Sequence, residues 1–124
     1  MVDEKLQAWI KQTLDQAVKD LTSQGVYEGL VIEARPAWAL PFQILIGQIR
    51  EQGQATGFDW FICGDLPLGH IHSSNAISPR EAARNFALQW QLDAERMEQG
   101  GDELAKKAGS LYELTNEDSL WGQE

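Results

Sequence analysis

The spacing of apolar residues changes once near the start of the chain, and this change limits the folds open to it. Between Asp3 and Gln24, apolar residues recur every three or four positions, the spacing of one helical face. These residues are Leu6, Ile10, Leu14, Ala17, Val18 and Leu21. Asp3 is suited to cap this helix and Gly25 to end it in the left-handed conformation. The pattern predicts an amino-terminal amphipathic helix.

After Gly25 the pattern becomes that of β-strands. Three runs, at residues 30–35, 42–49 and 58–63, are rich in β-branched and aromatic residues and are separated by prolines and glycines. The connections between them are too short for crossover helices, so neighbouring strands should be antiparallel. The sequence predicts a three-stranded antiparallel sheet.

Alternate residues of these strands define two sheet faces. One set is almost wholly apolar and predicts the core face: Leu30, Ile32, Phe42, Ile44, Ile46, Phe58, Trp60 and Ile62. The other set mixes apolar and charged residues: Val31, Glu33, Arg35, Gln43, Leu45, Ile49, Asp59, Phe61 and Cys63. We expect this second face to be covered by carboxy-terminal residues or by a second copy of the chain. A β-bulge would reverse part of the assignment.

The clearest local signal is the sequence Ser78-Pro79-Arg80-Glu81, a capping box with proline at the first helical position. It predicts a long helix that begins at Pro79 and ends near Gly100. Asp102 is suited to cap a further short helix. With 124 residues, we expect one α+β domain with the long helix packed on one sheet face and short helices at the carboxy terminus.

The net charge of −9 excludes some classes of partner. Nucleic-acid backbone and anionic lipid both require clustered Lys and Arg, which this chain lacks. Residues 93–124 hold nine acidic and three basic residues, which amounts to −6 of the total. We therefore expect a basic protein partner, if there is one, to bind the acidic helical end at 93–124.

Three features predict a cytoplasmic protein. Three of the first five residues are charged, two of them acidic, which is not typical of a secretory signal. Cys63 is the only cysteine and cannot form an internal disulfide. The most apolar stretch, residues 38–46, is shorter than the roughly 20 residues of a membrane-spanning helix.

The segment between the third strand and the second long helix contains Asp65 and both histidines, His70 and His72. Such loops carry function more often than the elements they connect. Two histidines at this spacing could bind zinc with Asp65 or Cys63, but without a third ligand at a diagnostic spacing we favour a solvated loop and predict neither metal nor cofactor.

Arg80 and Arg84 lie one turn apart on the following helix and require an anionic neighbour. The neighbour is either a bound phosphate or carboxylate, or the side chain of Asp65 in a salt bridge, which we favour. The candidate ligand-binding set is Asp65, His70, His72, Arg80 and Arg84. No nucleophile signature surrounds the serines, so we assign no catalytic residue.

The five tryptophans are many for a chain of this length. Trp60 and Trp90 fit core positions, whereas Trp38 and Trp121 are harder to bury from the pattern. Exposed aromatics are enriched in recognition surfaces. With the apolar residues of the second sheet face, they give a candidate interaction set: Trp38, Leu45, Phe61 and Trp121.

The run from Trp60 to Pro67, followed by residues 78–87 and Trp90, resembles a family of small uncharacterised bacterial proteins. In that family a Trp-containing strand ending in Gly-Asp-x-Pro precedes a helix that opens with Pro-Arg. Residues 68–70 here are Leu, Gly and His, where the family pattern has an Asp and a Tyr. The resemblance implies a bacterial origin and groups Asp65, Arg80 and Arg84 as one motif.

Three hypotheses follow for function. The first is a non-enzymatic protein-interaction module, homodimeric through the second sheet face or the carboxy-terminal helices. The second is a small ligand-binding or enzymatic domain with an anion or metal site at residues 64–84. The third is an acidic decoy or antitoxin-like inhibitor, which requires a contiguous negative face.

Overall fold

The computed structural model describes residues 3–27, 32–52 and 57–122. The helices are α1 (Glu4–Ser23), α2 (Pro79–Arg96) and α3 (Gly101–Thr115), and the strands are β1 (Ile32–Leu40), β2 (Ile44–Glu51), β3 (Asp59–Gly64) and β4 (Gly69–Ile71). The chain divides into two compact units, residues 1–74 with α1 and the sheet, and residues 75–124 with α2 and α3. The predicted packing of α2 on the sheet stays a prediction.

The sheet has four strands in the order β1-β2-β3-β4, and every pair is antiparallel. The α+β class and the antiparallel pairing are confirmed, but the predicted number of three strands is wrong. The missed strand, β4, is only three residues long and pairs His70 with Phe61. Three residues are too few to show a periodic pattern, and they include a glycine and a histidine.

β1 runs through Pro36, which the sequence analysis placed in a connection. Proline is tolerated here because β1 is an edge strand. The register shifts between Pro36 and Trp38, so that Ala34 pairs with Ile49 while Trp38 pairs with Ile46. This bulge places Ile32 on the face opposite the one predicted. Leu30, predicted on the core face, and Val31, predicted on the second face, lie outside the described residues.

The central residues of the predicted core face are buried, whereas two residues at its margins are not. Ile44, Ile46, Trp60 and Ile62 are buried. Phe42, in contrast, is half-exposed in the β1–β2 turn. Phe58 lies beneath two guanidinium groups, those of Arg35 and Arg50, at 4.0 and 4.2 Å from its ring centre.

Helix α1 covers the second sheet face. Its residues Ala17 and Leu21 form a buried cluster with the apolar residues of that face, and Leu14 and Val18 pack against it. The sheet contributes Leu45, Ile49, Phe61 and Cys63. The sequence did not predict α1 as the cover of this face. Leu45 and Phe61 are fully buried within this core and do not form an exposed interaction surface.

The predicted helix ends are largely confirmed. Asp3 accepts from the backbone N–H of Lys5 at 2.9 Å, and Ser78 caps α2 by accepting from Glu81 N–H at 3.1 Å. Gly25 is left-handed, as expected. The carboxy-terminal helix is longer than predicted, since α3 spans 15 residues and begins after Gly100 rather than at a cap on Asp102.

Among the described residues, none of the helices combines the length and the apolar character needed to span a bilayer.

Candidate functional site

A buried polar network joins three residues of the α1–sheet unit. The phenol of Tyr27 donates to Asp59 Oδ2 at 2.7 Å, and His70 Nε2 lies 2.8 Å from the same phenolic oxygen. The backbone N–H of Ser73 donates to the other oxygen of Asp59 at 3.0 Å. Because the phenol uses its proton toward Asp59, the hydrogen bond from His70 requires a proton on Nε2.

The chemistry of this network follows from its burial. Tyr27 and Asp59 are each about 5% exposed. Burial raises the pKa of the Tyr27 phenol well above its usual range, and the hydrogen bond and charge of Asp59 raise it further. Tyr27 therefore stays protonated as a donor. The arrangement provides hydrogen bonds to a buried carboxylate and connects Tyr27, in the segment after α1, to β3 and β4.

The two histidines have different partners. His70 joins the buried network, with its Nε2 3.3 Å from Asp59 Oδ2, whereas His72 is exposed and its Nδ1 lies 3.0 Å from the hydroxyl of Ser74. In the ranges that the structure describes, no three His, Cys, Asp or Glu side chains are grouped so as to hold a metal ion.

Arg80 and Arg84 contact the carboxyl end of α3. Arg80 Nε donates to the backbone oxygen of Thr115 at 2.7 Å, and Arg84 donates to the same oxygen at 3.1 Å and to Thr115 Oγ1 at 3.2 Å. Cations at a helix carboxyl end satisfy carbonyls left without intrahelical partners. The carboxylate paired with Arg80 is Asp118, at 2.6 Å, in place of the predicted Asp65.

The tryptophans of the predicted interaction set are not free aromatic anchors. Trp121 is 4% exposed, and its indole donates to the backbone oxygen of Leu114 at 2.9 Å. Trp38 is partly buried beside the bulge of β1. Trp121 is therefore a core residue of the α2–α3 unit.

Asp65 lines a groove between α1 and the segment that follows β3, which we call the α1 groove. Its volume is about 420 Å³. The residues around it are Trp9, Gln12, Thr13, Gln16, Ala17, Asp20, Cys63, Gly64, Asp65, Leu66 and Leu68. Asp65 was predicted from the sequence but the α1 residues were not, because nothing in the sequence pairs α1 with the end of β3.

The floor of the α1 groove holds an inert thiol. Cys63 is free and buried, and burial together with the charge of Asp20 raises its pKa to about 12. A thiol of this acidity is almost wholly protonated at neutral pH. Cys63 is therefore part of the apolar floor and not a nucleophile.

A second concave site, which we call the hairpin cleft, lies where α2 turns into α3. It encloses about 690 Å³. Its walls contain Gln91, Ala94, Glu95, Met97, Glu98, Gly100, Gly101, Asp102, Glu103 and Ala105. Four of these residues are carboxylates and none is Lys or Arg. The acidic end at 93–124 is the feature of the sequence that points to this site.

The predicted ligand-binding set is spread over separate sites. Asp65 borders the α1 groove, His70 belongs to the buried network, and His72 is in a local turn. Arg80 and Arg84 lie together and share Thr115 as their partner.

Comparisons with known proteins agree with the resemblance found in the sequence. Neither a search of the curated proteins nor one of the solved structures returned a significant match. A family described as a domain of unknown function, DUF4826, matches residues 3–121, which is nearly the whole chain. The chain belongs to the DUF4826 family.

Proposed function

We propose that this protein is a non-enzymatic interaction module whose hairpin cleft binds a basic amphipathic segment of another protein. The observation that carries the proposal is the position of Met97, which is 45% exposed within a cleft bordered by four carboxylates. Methionine adapts to varied apolar partners, and the surrounding carboxylates favour Lys and Arg.

Apolar side chains extend the binding surface along α2. Leu88 and Leu92 are 59% and 47% exposed and lie one helical turn apart, on the same side of the helix. Exposed leucines at this spacing, next to an acidic cleft, suit an amphipathic helix that carries positive charge on its flanks.

The negative charge of the hairpin cleft determines which class of molecule it can bind. A nucleic-acid backbone or an anionic lipid would meet carboxylates. A second copy of the chain would bring the same negative charge to the cleft, which opposes homodimerisation through this surface. A basic protein segment is the occupant with complementary charge. An acidic inhibitor of a basic protein would use the same surface.

The free, buried Cys63 supports the cytoplasmic location expected from the sequence.

The test is a calorimetric titration of the whole protein with a helical peptide built only of Leu, Lys and Ala, carried out at low and at high salt. We expect binding that weakens as salt rises, because the contact is largely electrostatic. Joint replacement Glu98→Lys and Glu103→Lys should weaken it at least tenfold, about 1.4 kcal/mol.

Joint replacement Glu113→Lys and Glu117→Lys is the matched control. Both are exposed carboxylates that do not line the cleft, and their replacement changes the net charge by the same amount. Equal loss of binding in the control would show a general effect of net charge and would overturn the site. Light scattering on the same samples tests for a dimer.

A further inference from the structure

The α1 groove combines a cavity of small-molecule size with walls of one charge. Its volume of about 420 Å³ lies within the range of about 300–1,000 Å³ that is usual for ligand pockets. Ala17, Cys63, Leu66 and Leu68 provide apolar surface. The charged side chains in its walls are Asp20 and Asp65, and no Lys or Arg lines it.

The two carboxylates are available to a ligand. Gln16 donates to Asp20 Oδ1 at 2.9 Å and holds that side chain in place. Asp65 is exposed at the rim, and its backbone N–H is bonded to the carbonyl of Gln43 at 2.8 Å. Within the described part of the chain, neither carboxylate forms an ion pair. Two unpaired negative charges beside apolar walls favour a cation.

An aromatic residue also lines the groove. Trp9 lies in its wall, and the ring of Phe42 packs against Trp9 with centres 5.8 Å apart. Phe42 adopts a left-handed backbone conformation with φ of 63°, uncommon for a bulky residue, in the turn that brings its ring to Trp9. An indole held in place by a second ring, in a groove that two carboxylates also line, is suited to cation–π contact with an ammonium or guanidinium group.

A metal ion suits this groove less well. Divalent cations need several oxygen ligands that converge on one point. The described residues include no group of three acidic, histidine or cysteine ligands. The apolar floor and the indole would add nothing to metal binding, whereas the floor would contact the carbon chain of an organic cation and the indole its charged group.

We propose that the α1 groove binds a small organic cation, an alkyl ammonium or guanidinium compound with a short apolar body. Asp20 and Asp65 contact its charged groups, Trp9 lies against one of them, and the Cys63 and Leu68 surface holds the carbon chain. This site is independent of the hairpin cleft and belongs to the other unit of the chain.

The test is an NMR titration of the isotope-labelled protein with 1,4-diaminobutane, in which the chemical shifts of the Trp9 indole and the Gly64 amide are measured. We expect saturable shifts at both groups. The uncharged 1,4-butanediol and the dianion succinate, which match the probe in length, should give none. Asp65→Asn and Asp20→Asn should each weaken binding roughly tenfold, about 1.4 kcal/mol.

Asp15→Asn is the matched control, because Asp15 is an exposed carboxylate of α1 that does not line the groove. It should bind the diamine as the parent does. Shifts that do not saturate, equal binding of the diol, or equal weakening by Asp15→Asn would each overturn the proposal. Asp65 is exposed, so its variant reports on binding without loss of folding.

Discussion

The phenol of Tyr27 donates a hydrogen bond of 2.7 Å to the carboxylate of Asp59, across 32 positions of sequence. Tyr27 follows α1, and Asp59 is the first residue of β3. Asp59 is 5% exposed, so the free energy of burying its charge depends on the donors that surround it. This pair therefore connects the segment after the amino-terminal helix to the sheet through a polar contact inside the core.

Tyr27→Phe should lower the free energy of unfolding by about 1–3 kcal/mol, because the buried carboxylate of Asp59 loses its shortest hydrogen bond and keeps only the longer contact of 3.3 Å from His70 on that oxygen. Urea unfolding measures the change. Tyr112→Phe is the control, since Tyr112 is half-exposed on α3, and we expect little change there. Equal stability of Tyr27→Phe and the parent would show that the contact contributes nothing.

Stability should fall as the pH rises above about 9. Burial raises the pKa of Cys63 to about 12 and that of Tyr27 well above its usual value near 10. At a pH between the pKa of the group in the unfolded chain and its pKa in the folded chain, the unfolded chain has lost the proton and the folded chain keeps it. Each group then lowers the unfolding free energy by up to about 1.4 kcal/mol per pH unit.

The alkaline effect is measured by urea unfolding at several pH values between neutrality and the alkaline range. Cys63→Ala and Tyr27→Phe should each flatten the dependence, because each removes one group that titrates differently in the two states. Below about pH 8, neither group should contribute any slope. Parallel curves for the parent and both variants would exclude these groups as the cause.

Arg80 should contribute to stability mainly through its hydrogen bond to the carboxyl end of α3 and only slightly through its ion pair with Asp118. Arg80→Ala removes a charged hydrogen bond to the backbone oxygen of Thr115 and should cost about 1.5–3 kcal/mol. Asp118→Ala should cost less than about 1 kcal/mol, because Asp118 is 88% exposed. Urea unfolding of both variants checks the order. A larger effect at Asp118 would contradict it.

Gly64 should tolerate no side chain. Its φ is +103°, and an added Cβ would collide with the carbonyl oxygen of Gln43. We expect Gly64→Ala to lower the unfolding free energy by more than about 2 kcal/mol. Gly25→Ala is the matched control, since Gly25 is also left-handed but has open space around it, and it should cost about 1 kcal/mol. Equal costs measured by thermal unfolding would rule out the collision.

Local patterns in the sequence predicted the parts of the fold that local physics decides. The apolar stripe and Asp3 cap of α1, and the Ser78 cap of α2, depend on residues within a few positions of one another. β4 and the β1 bulge depend on pairing with another strand, which leaves no periodic signal in so short a segment.

The candidate sites were harder to predict because each is assembled from distant residues. Asp65 was identified from its loop, but Trp9 and Asp20, which line the same groove, are on α1, more than 40 positions earlier. Arg80 was expected to pair with Asp65, yet its carboxylate partner Asp118 lies 38 positions later. The acidity of the hairpin cleft follows from the charge of residues 93–124, but the cleft itself lies between α2 and α3 and was not predicted.

The central claim, binding at the hairpin cleft, is tested most directly by mapping amide shifts of the isotope-labelled protein during titration with the basic Leu/Lys/Ala peptide. The account predicts shifts concentrated at residues 91–105, including Met97 and Gly101, and their loss in the Glu98→Lys, Glu103→Lys variant. Shifts concentrated elsewhere on the chain, or unchanged in that variant, would contradict it.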